Sequence, residues 1–88
     1  MKLLWSPAAW EAYLSWQKEN PEGLKRLNEL IREVQRTPFT GTGKPEPLRG
    51  DLTGWWSRRI TKEHRLVYRV RGKGDEQFVE IAQCRYHY

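Results

Sequence analysis

The sequence predicts an α+β fold, in which a helical hairpin packs on an antiparallel-rich sheet in the order β-α-α-β-β-β. Three observations carry this reading. The first half of the chain holds two proline-started segments whose apolar residues recur at helical spacing. The last third holds strand-like runs joined by turns short enough for hairpins. A length of 88 residues fits one small domain, residues 1–88, and leaves no room for a second.

Lys2 to Trp5 is a short apolar run that opens the fold as a strand. Ser6-Pro7 reads as a helix start, because Ser accepts from the orphan amides and Pro at the first helical position loses nothing. Trp10, Tyr13 and Leu14 follow at i, i+3 and i+4 and predict one apolar, core-facing side. Asn20-Pro21 repeats the start signal. Leu24, Leu27, Leu30, Ile31 and Val34 then line one side of a second helix. So short a link makes the two helices antiparallel neighbours.

From Thr37 to Gly54, prolines at 38, 45 and 47 and glycines at 41, 43, 50 and 54 exclude regular structure over much of the segment. Loops of that length are usually functional or disordered, and the prolines favour a stiff, extended course. Three strands are predicted after it, Trp55–Ile60, Arg65–Val70 and Gln77–Cys84, in an antiparallel meander. In the middle strand, alternation sends Leu66, Tyr68 and Val70 toward the helices and Arg65, Val67 and Arg69 to an open face. Cys84 reads as a small buried residue at a strand end, and His64 as a turn residue with a structural role.

Composition limits the function. Eleven aromatic residues, five of them Trp, and 38% hydrophobic content argue for a folded chain. One cysteine and two histidines supply neither a disulfide framework nor a Cys/His zinc site, so no metal or cofactor is expected. No apolar run approaches a membrane span, and a cytoplasmic location is expected. Sixteen Lys and Arg against eleven Asp and Glu give a net +5 and suggest an anionic partner. That excess is concentrated. Residues 1–36 carry six basic and five acidic groups, residues 37–88 ten and six. Between positions 58 and 73, seven basic residues meet one acid, Glu63, with Trp55, Trp56 and Tyr68 nearby. Such a mixture suits gripping phosphates and stacking bases, although a solvated polar sheet face would show the same pattern.

Cutting RNA through its own 2′-hydroxyl needs a base, a cation aimed at the phosphoryl oxygens, and an acid for the leaving 5′-oxygen. Glu46, clamped between Pro45 and Pro47, is a candidate for a positioned base. Arg65 opens the middle strand and can present two donors to a phosphate. His87, between Tyr86 and Tyr88, can serve as acid or base near neutral pH. Each has an ordinary alternative: a turn acid, a surface arginine, a tail histidine.

Together these residues form a pattern. Lys44-Pro45-Glu46-Pro47-Leu48, Trp56-Ser57-Arg58-Arg59-Ile60, Glu63-His64-Arg65-Leu66-Val67-Tyr68 and Cys84-Arg85-Tyr86-His87-Tyr88 resemble the signature blocks of the Txe/YoeB toxins, within the RelE-like superfamily of bacterial type II toxin–antitoxin systems. Met1-Lys2-Leu3, Trp5-Ser6 and Arg36-Thr37-Pro38-Phe39 fit as well, so the likeness spans essentially the whole chain. It implies a RelE-like microbial ribonuclease-type fold and a metal-independent endoribonuclease that cuts mRNA in the ribosomal A site and halts translation. Glu46 would act as base, Arg65 as the phosphorane-stabilising cation and His87 as acid, with Tyr88 placing the scissile phosphate or a base. Lys44, Arg49, Arg58, Arg59 and Arg69 are the expected RNA contacts.

The implied partners are the 70S ribosome, mRNA and a cognate antitoxin covering Glu46, Arg65 and the tail; monomer and homodimer both stay open. Two departures stand out: Arg49 where relatives tend to carry Lys, and a longer turn over Arg71 to Glu76. The alternatives are a catalytically silent RNA- or antitoxin-binding module in a repressor complex, and the gyrase-poison branch of the superfamily, whose members are not expected to carry this constellation. The carboxylate of Tyr88 beside His87 is further expected to favour the imidazolium.

Overall fold

The computed structural model describes residues 1–86; the sequence-predicted acid His87 and its neighbour Tyr88 lie outside the described residues. Strand β1 (Lys2–Trp5) leads into helices α1 (Pro7–Glu19) and α2 (Pro21–Arg36). Then come a two-residue strand β2 (Glu46–Pro47), β3 (Trp56–Arg59), β4 (Arg65–Arg71) and β5 (Phe78–Gln83). The sheet order is β1-β5-β4-β3-β2, with β1 parallel to β5 and every other pairing antiparallel. The predicted hairpin, meander and opening strand are present. The sequence reading lacked β2, which forms inside the stretch that Pro and Gly marked as irregular. Pro47 is tolerated there because β2 is an edge strand.

Both helix starts follow from their caps. Ser6 Oγ accepts from the Ala9 amide at 3.0 Å, and Asn20 Oδ1 from the Gly23 amide at 2.9 Å. Asn20 also ends α1, donating its backbone N–H to the Trp16 carbonyl. One residue thus terminates the first helix and starts the second. Gly23 weakens α2 slightly but admits the Trp16 ring, since a Cβ there would lie 2.2 Å from Trp16 Cζ3.

The α1 face differs from the expected one. Ala9 and Trp16 are buried and Ala12 is partly so, whereas Trp10 and Leu14 are 45% and 38% exposed. Trp10 instead joins Trp5 and Tyr13 in an aromatic cluster with centroids 5.0–5.7 Å apart. The i, i+3, i+4 set starting at residue 10 was as regular as the set starting at 9. Only docking on the sheet selects between them. The α2 stripe is as expected: Leu27, Leu30, Ile31 and Val34 meet Leu66, Tyr68, Val79 and Ile81 in one core.

Between β4 and β5 the register slips, so that Val67 faces Gln83 while Tyr68 faces Ile81 and Ala82 has no partner. Such a bulge bends its strand. Ser6 secures it, its hydroxyl donating to the Ala82 carbonyl at 2.7 Å and its amide to the Ile81 carbonyl at 3.0 Å. The cap of α1 therefore also fixes where β5 turns toward the end of the chain.

Candidate active site

Strand pairing brings the separated motifs together. Glu46 lies opposite Ser57, Ser57 opposite Val67, and Arg59 opposite Arg65. Because paired residues share a face and side chains alternate, Glu46, Arg59 and Arg65 stand on the side of the sheet away from the helices. There the Arg65 guanidinium donates to the Glu46 carboxylate at 3.3 Å. The Glu46 side chain is 57% exposed and that of Arg65 only 15%. An accessible carboxylate thus sits against a cation that the fold holds still. A guanidinium carries five N–H donors in a fixed fork, so this contact leaves capacity for an anion.

The loop before Glu46 is shaped by Arg58, the neighbour of Arg59 on the opposite face. Arg58 is fully buried. Its guanidinium donates to the carbonyls of Thr37 (2.5 Å), Thr40 (2.8 Å) and Thr42 (3.0 Å) and to the Tyr68 hydroxyl (3.1 Å). Glu33 lies 3.4 Å from it and accepts from the Thr42 amide. The Tyr68 hydroxyl in turn donates to the Pro38 carbonyl at 2.6 Å, and burial pushes its pKa up. Glycine is required where this loop crosses the core. At Gly43, with φ of +88°, a Cβ would lie 2.9 Å from Leu30 Cδ2. The Gly43 carbonyl then accepts from the Arg59 amide at 2.8 Å, tying the approach to Glu46 onto β3.

Arg58 was expected to contact RNA, and this assignment is corrected. Its donors point inward to loop carbonyls because alternation places it on the face opposite Arg59. The same alternation puts Trp56 and Tyr68 on the helix side, so neither belongs to an open aromatic surface. Lys44, Arg49 and Arg59 are exposed. Arg69 is committed in part, donating to Glu80 at 2.7 Å and stacking 4.3 Å over the Trp55 ring. That bond holds the Glu80 carboxyl below its usual pKa range.

Residues 84–86 are fastened beside this pair. Trp16 Nε1 donates to the Cys84 carbonyl at 2.8 Å, and Arg85 reaches Ser15 and Glu19 on α1. The Tyr86 amide donates to His64 Nδ1, and the Tyr86 carbonyl accepts from the Arg65 amide. Periodicity could not reveal the His64 contact, which joins residues 22 apart through a side chain. Burial pushes the Cys84 thiol to a pKa of about 12, which removes it as a nucleophile. Among the described residues, no cluster of three or more His, Cys, Asp or Glu could hold a metal, and no helix is long and apolar enough to cross a membrane.

Residues 5–88 match the family described as the YoeB-like toxin of bacterial type II toxin–antitoxin systems. The chain belongs to the YoeB toxin family. The Escherichia coli K12 protein named Toxin YoeB is 56% identical over 88 residues, the full length of both chains. A solved YoeB/ParE toxin from Agrobacterium tumefaciens superposes with a TM-score of 0.97 at 56% identity, covering all of both chains. The toxin chain in a heterotetrameric YoeB-YefM toxin–antitoxin complex from Staphylococcus aureus gives 0.86 at 43% identity, covering 100% of this chain and 98% of that one. The resemblance found in the sequence motifs is thus membership, and the YoeB fold is the one described above.

Proposed function

We propose that this YoeB-family chain is a ribosome-dependent endoribonuclease that cuts mRNA in the ribosomal A site. The observation that carries the reading is the Glu46–Arg65 pair, 3.3 Å apart on the sheet face away from the helices, with Arg59 paired to Arg65 in register. Glu46 takes the proton of the 2′-hydroxyl, whose oxygen attacks the adjacent phosphorus. The phosphorane gathers negative charge on its equatorial oxygens, and the Arg65 fork stabilises it there. As the bond from phosphorus to the 5′-oxygen breaks, His87 protonates the departing oxygen. The products are a 2′,3′-cyclic phosphate and a 5′-hydroxyl end. DNA lacks the nucleophile and is not a substrate.

Every role in this scheme is filled by a side chain, with no metal step. Lys44, Arg49 and Arg59, all exposed, supply positive charge for backbone phosphates, and Tyr88 helps place the scissile group. Because the Glu46 carboxylate is largely exposed, the ribosome provides the orientation of the mRNA. An antitoxin of the YefM kind covers this basic face in the cytoplasm and holds the enzyme silent.

The test is 5′-end mapping of an mRNA in reconstituted translation, with wild type, Glu46→Ala and His87→Ala, with and without ribosomes. Cuts confined to the A-site codon, dependent on ribosomes and lost in both variants, are expected. An absence of cuts with RNA or antitoxin binding retained would replace this reading by that of a silent binding module.

A further inference from the structure

We infer that His64 is a positioning residue for the cleavage reaction: its imidazole fixes the backbone of Tyr86, from which the chain continues to His87. The inference rests on the nuclease reading above.

The His64 backbone is itself immobilised. Its amide donates to Thr61 Oγ1 at 3.2 Å, and its carbonyl accepts from the Ile60 and Thr61 amides. Its ring contacts two aromatic rings, in an edge-type contact with Trp16 at 5.0 Å and tilted against Tyr86 at 5.1 Å. These contacts set the ring's place and plane. Nδ1 accepts the Tyr86 N–H at 2.7 Å, which puts the proton of the neutral ring on Nε2.

What this bond holds is an unfavourable conformation. Tyr86 has φ of +63°, in the left-handed region that side chains other than glycine seldom adopt. Both of its backbone polar groups are taken by adjacent residues of one strand entry: the N–H by His64, and the C=O by the Arg65 amide at 3.2 Å. Strain kept by such over-determination marks a position where geometry is needed. Arg65 is also the residue that holds Glu46. The His64-Arg65 dipeptide therefore references the start of the tail and the Glu46 carboxylate to one rigid point.

An ordinary structural histidine and a positioning one differ in what their replacement does. In His64→Asn, Oδ1 takes the approximate place of Nδ1 and can still accept the Tyr86 N–H. His64→Gln puts its acceptor near the place of Nε2, and His64→Ala has none. The measurements are Tyr86 amide hydrogen exchange by NMR, single-turnover cleavage on programmed ribosomes, affinity for those ribosomes, and melting. Loss of the acceptor is expected to expose the Tyr86 amide and slow cleavage about 10–100-fold, with ribosome affinity within about twofold of wild type. Asn is expected to restore both protection and rate, whereas Gln restores neither. Full-rate cleavage by His64→Ala would overturn the inference. So would equal losses in Asn and Gln that follow melting temperature. Should wild type fail to cleave at all, the nuclease reading falls and this role with it. Loss of Tyr86 protection in His64→Ala would still separate that outcome from an absent clamp.

Discussion

Arg65 donates to Glu46 across 3.3 Å although 19 residues separate them, and the contact spans three strands of one sheet. β2 carries the carboxylate, β4 carries the guanidinium, and β3 sets the distance between them. Arg59 on β3 pairs in register with Arg65, which places a second, exposed arginine on the same face. In the proposed reaction, this face takes a proton and receives a phosphate side by side.

Replacing Arg65 separates chemistry from stability. Its partner is largely exposed, and ion pairs of that kind contribute about 0–1 kcal/mol. Arg65→Ala is expected to leave the unfolding midpoint nearly unchanged and to slow single-turnover cleavage about 10²–10³-fold. Arg65→Lys keeps the charge without the fork and falls between the two. Parallel urea unfolding and ribosome-programmed cleavage check this; a stability loss that matches the rate loss would show a structural role instead.

Arg58 behaves in the opposite way. Arg58→Met leaves the Thr37, Thr40 and Thr42 carbonyls and the Glu33 carboxylate without their shared donor. A loss of about 1–3 kcal/mol is expected, the usual cost of leaving buried hydrogen-bonding groups without their partner. Urea unfolding measures it directly. A loss below about 1 kcal/mol, together with weakened RNA binding, would return Arg58 to the RNA-contacting set.

The same network makes stability depend on pH through Glu33. The Thr42 amide bond, helped by Arg58, holds the Glu33 carboxyl below the usual glutamate range. Its contribution is therefore complete above the unfolded-state pKa, about 4.3, and is lost as pH falls through the lower folded-state value. Glu33→Gln is expected to be less stable than wild type at neutral pH. That gap narrows as the medium is acidified below the unfolded-state value. Unfolding midpoints measured between neutrality and pH about 3 test this, and a constant gap would exclude the charge as its source.

Cys84 is buried, with its thiol pushed up to about 12. At pH 8 the native protein is expected to react with iodoacetamide about 10³-fold more slowly than the urea-unfolded chain. Mass spectrometry of timed aliquots gives the ratio. Comparable rates would mean that the end of β5 opens readily.

The sequence by itself determined the local elements and the family. Ser6-Pro7 and Asn20-Pro21 start the helices because cap and ring act within one turn. The α2 stripe has only one apolar side to bury. The four motif blocks carry family membership, and with it Glu46, Arg65 and His87 as candidates. Tertiary structure decided what depends on contacts distant in the chain. Whether Trp10 or Trp16 enters the core depends on how α1 docks, since both sit at acceptable helical spacing. Arg58 and Arg59 look alike as neighbours. One step of strand alternation buries the first under a loop and exposes the second. β2 forms because β3 offers a free edge to a segment that prolines had already extended. His64 meets Tyr86 because a bulge secured by Ser6 turns the end of β5. Periodicity records which side of an element is apolar, whereas the partner across a sheet or loop is fixed only when the chain closes on itself.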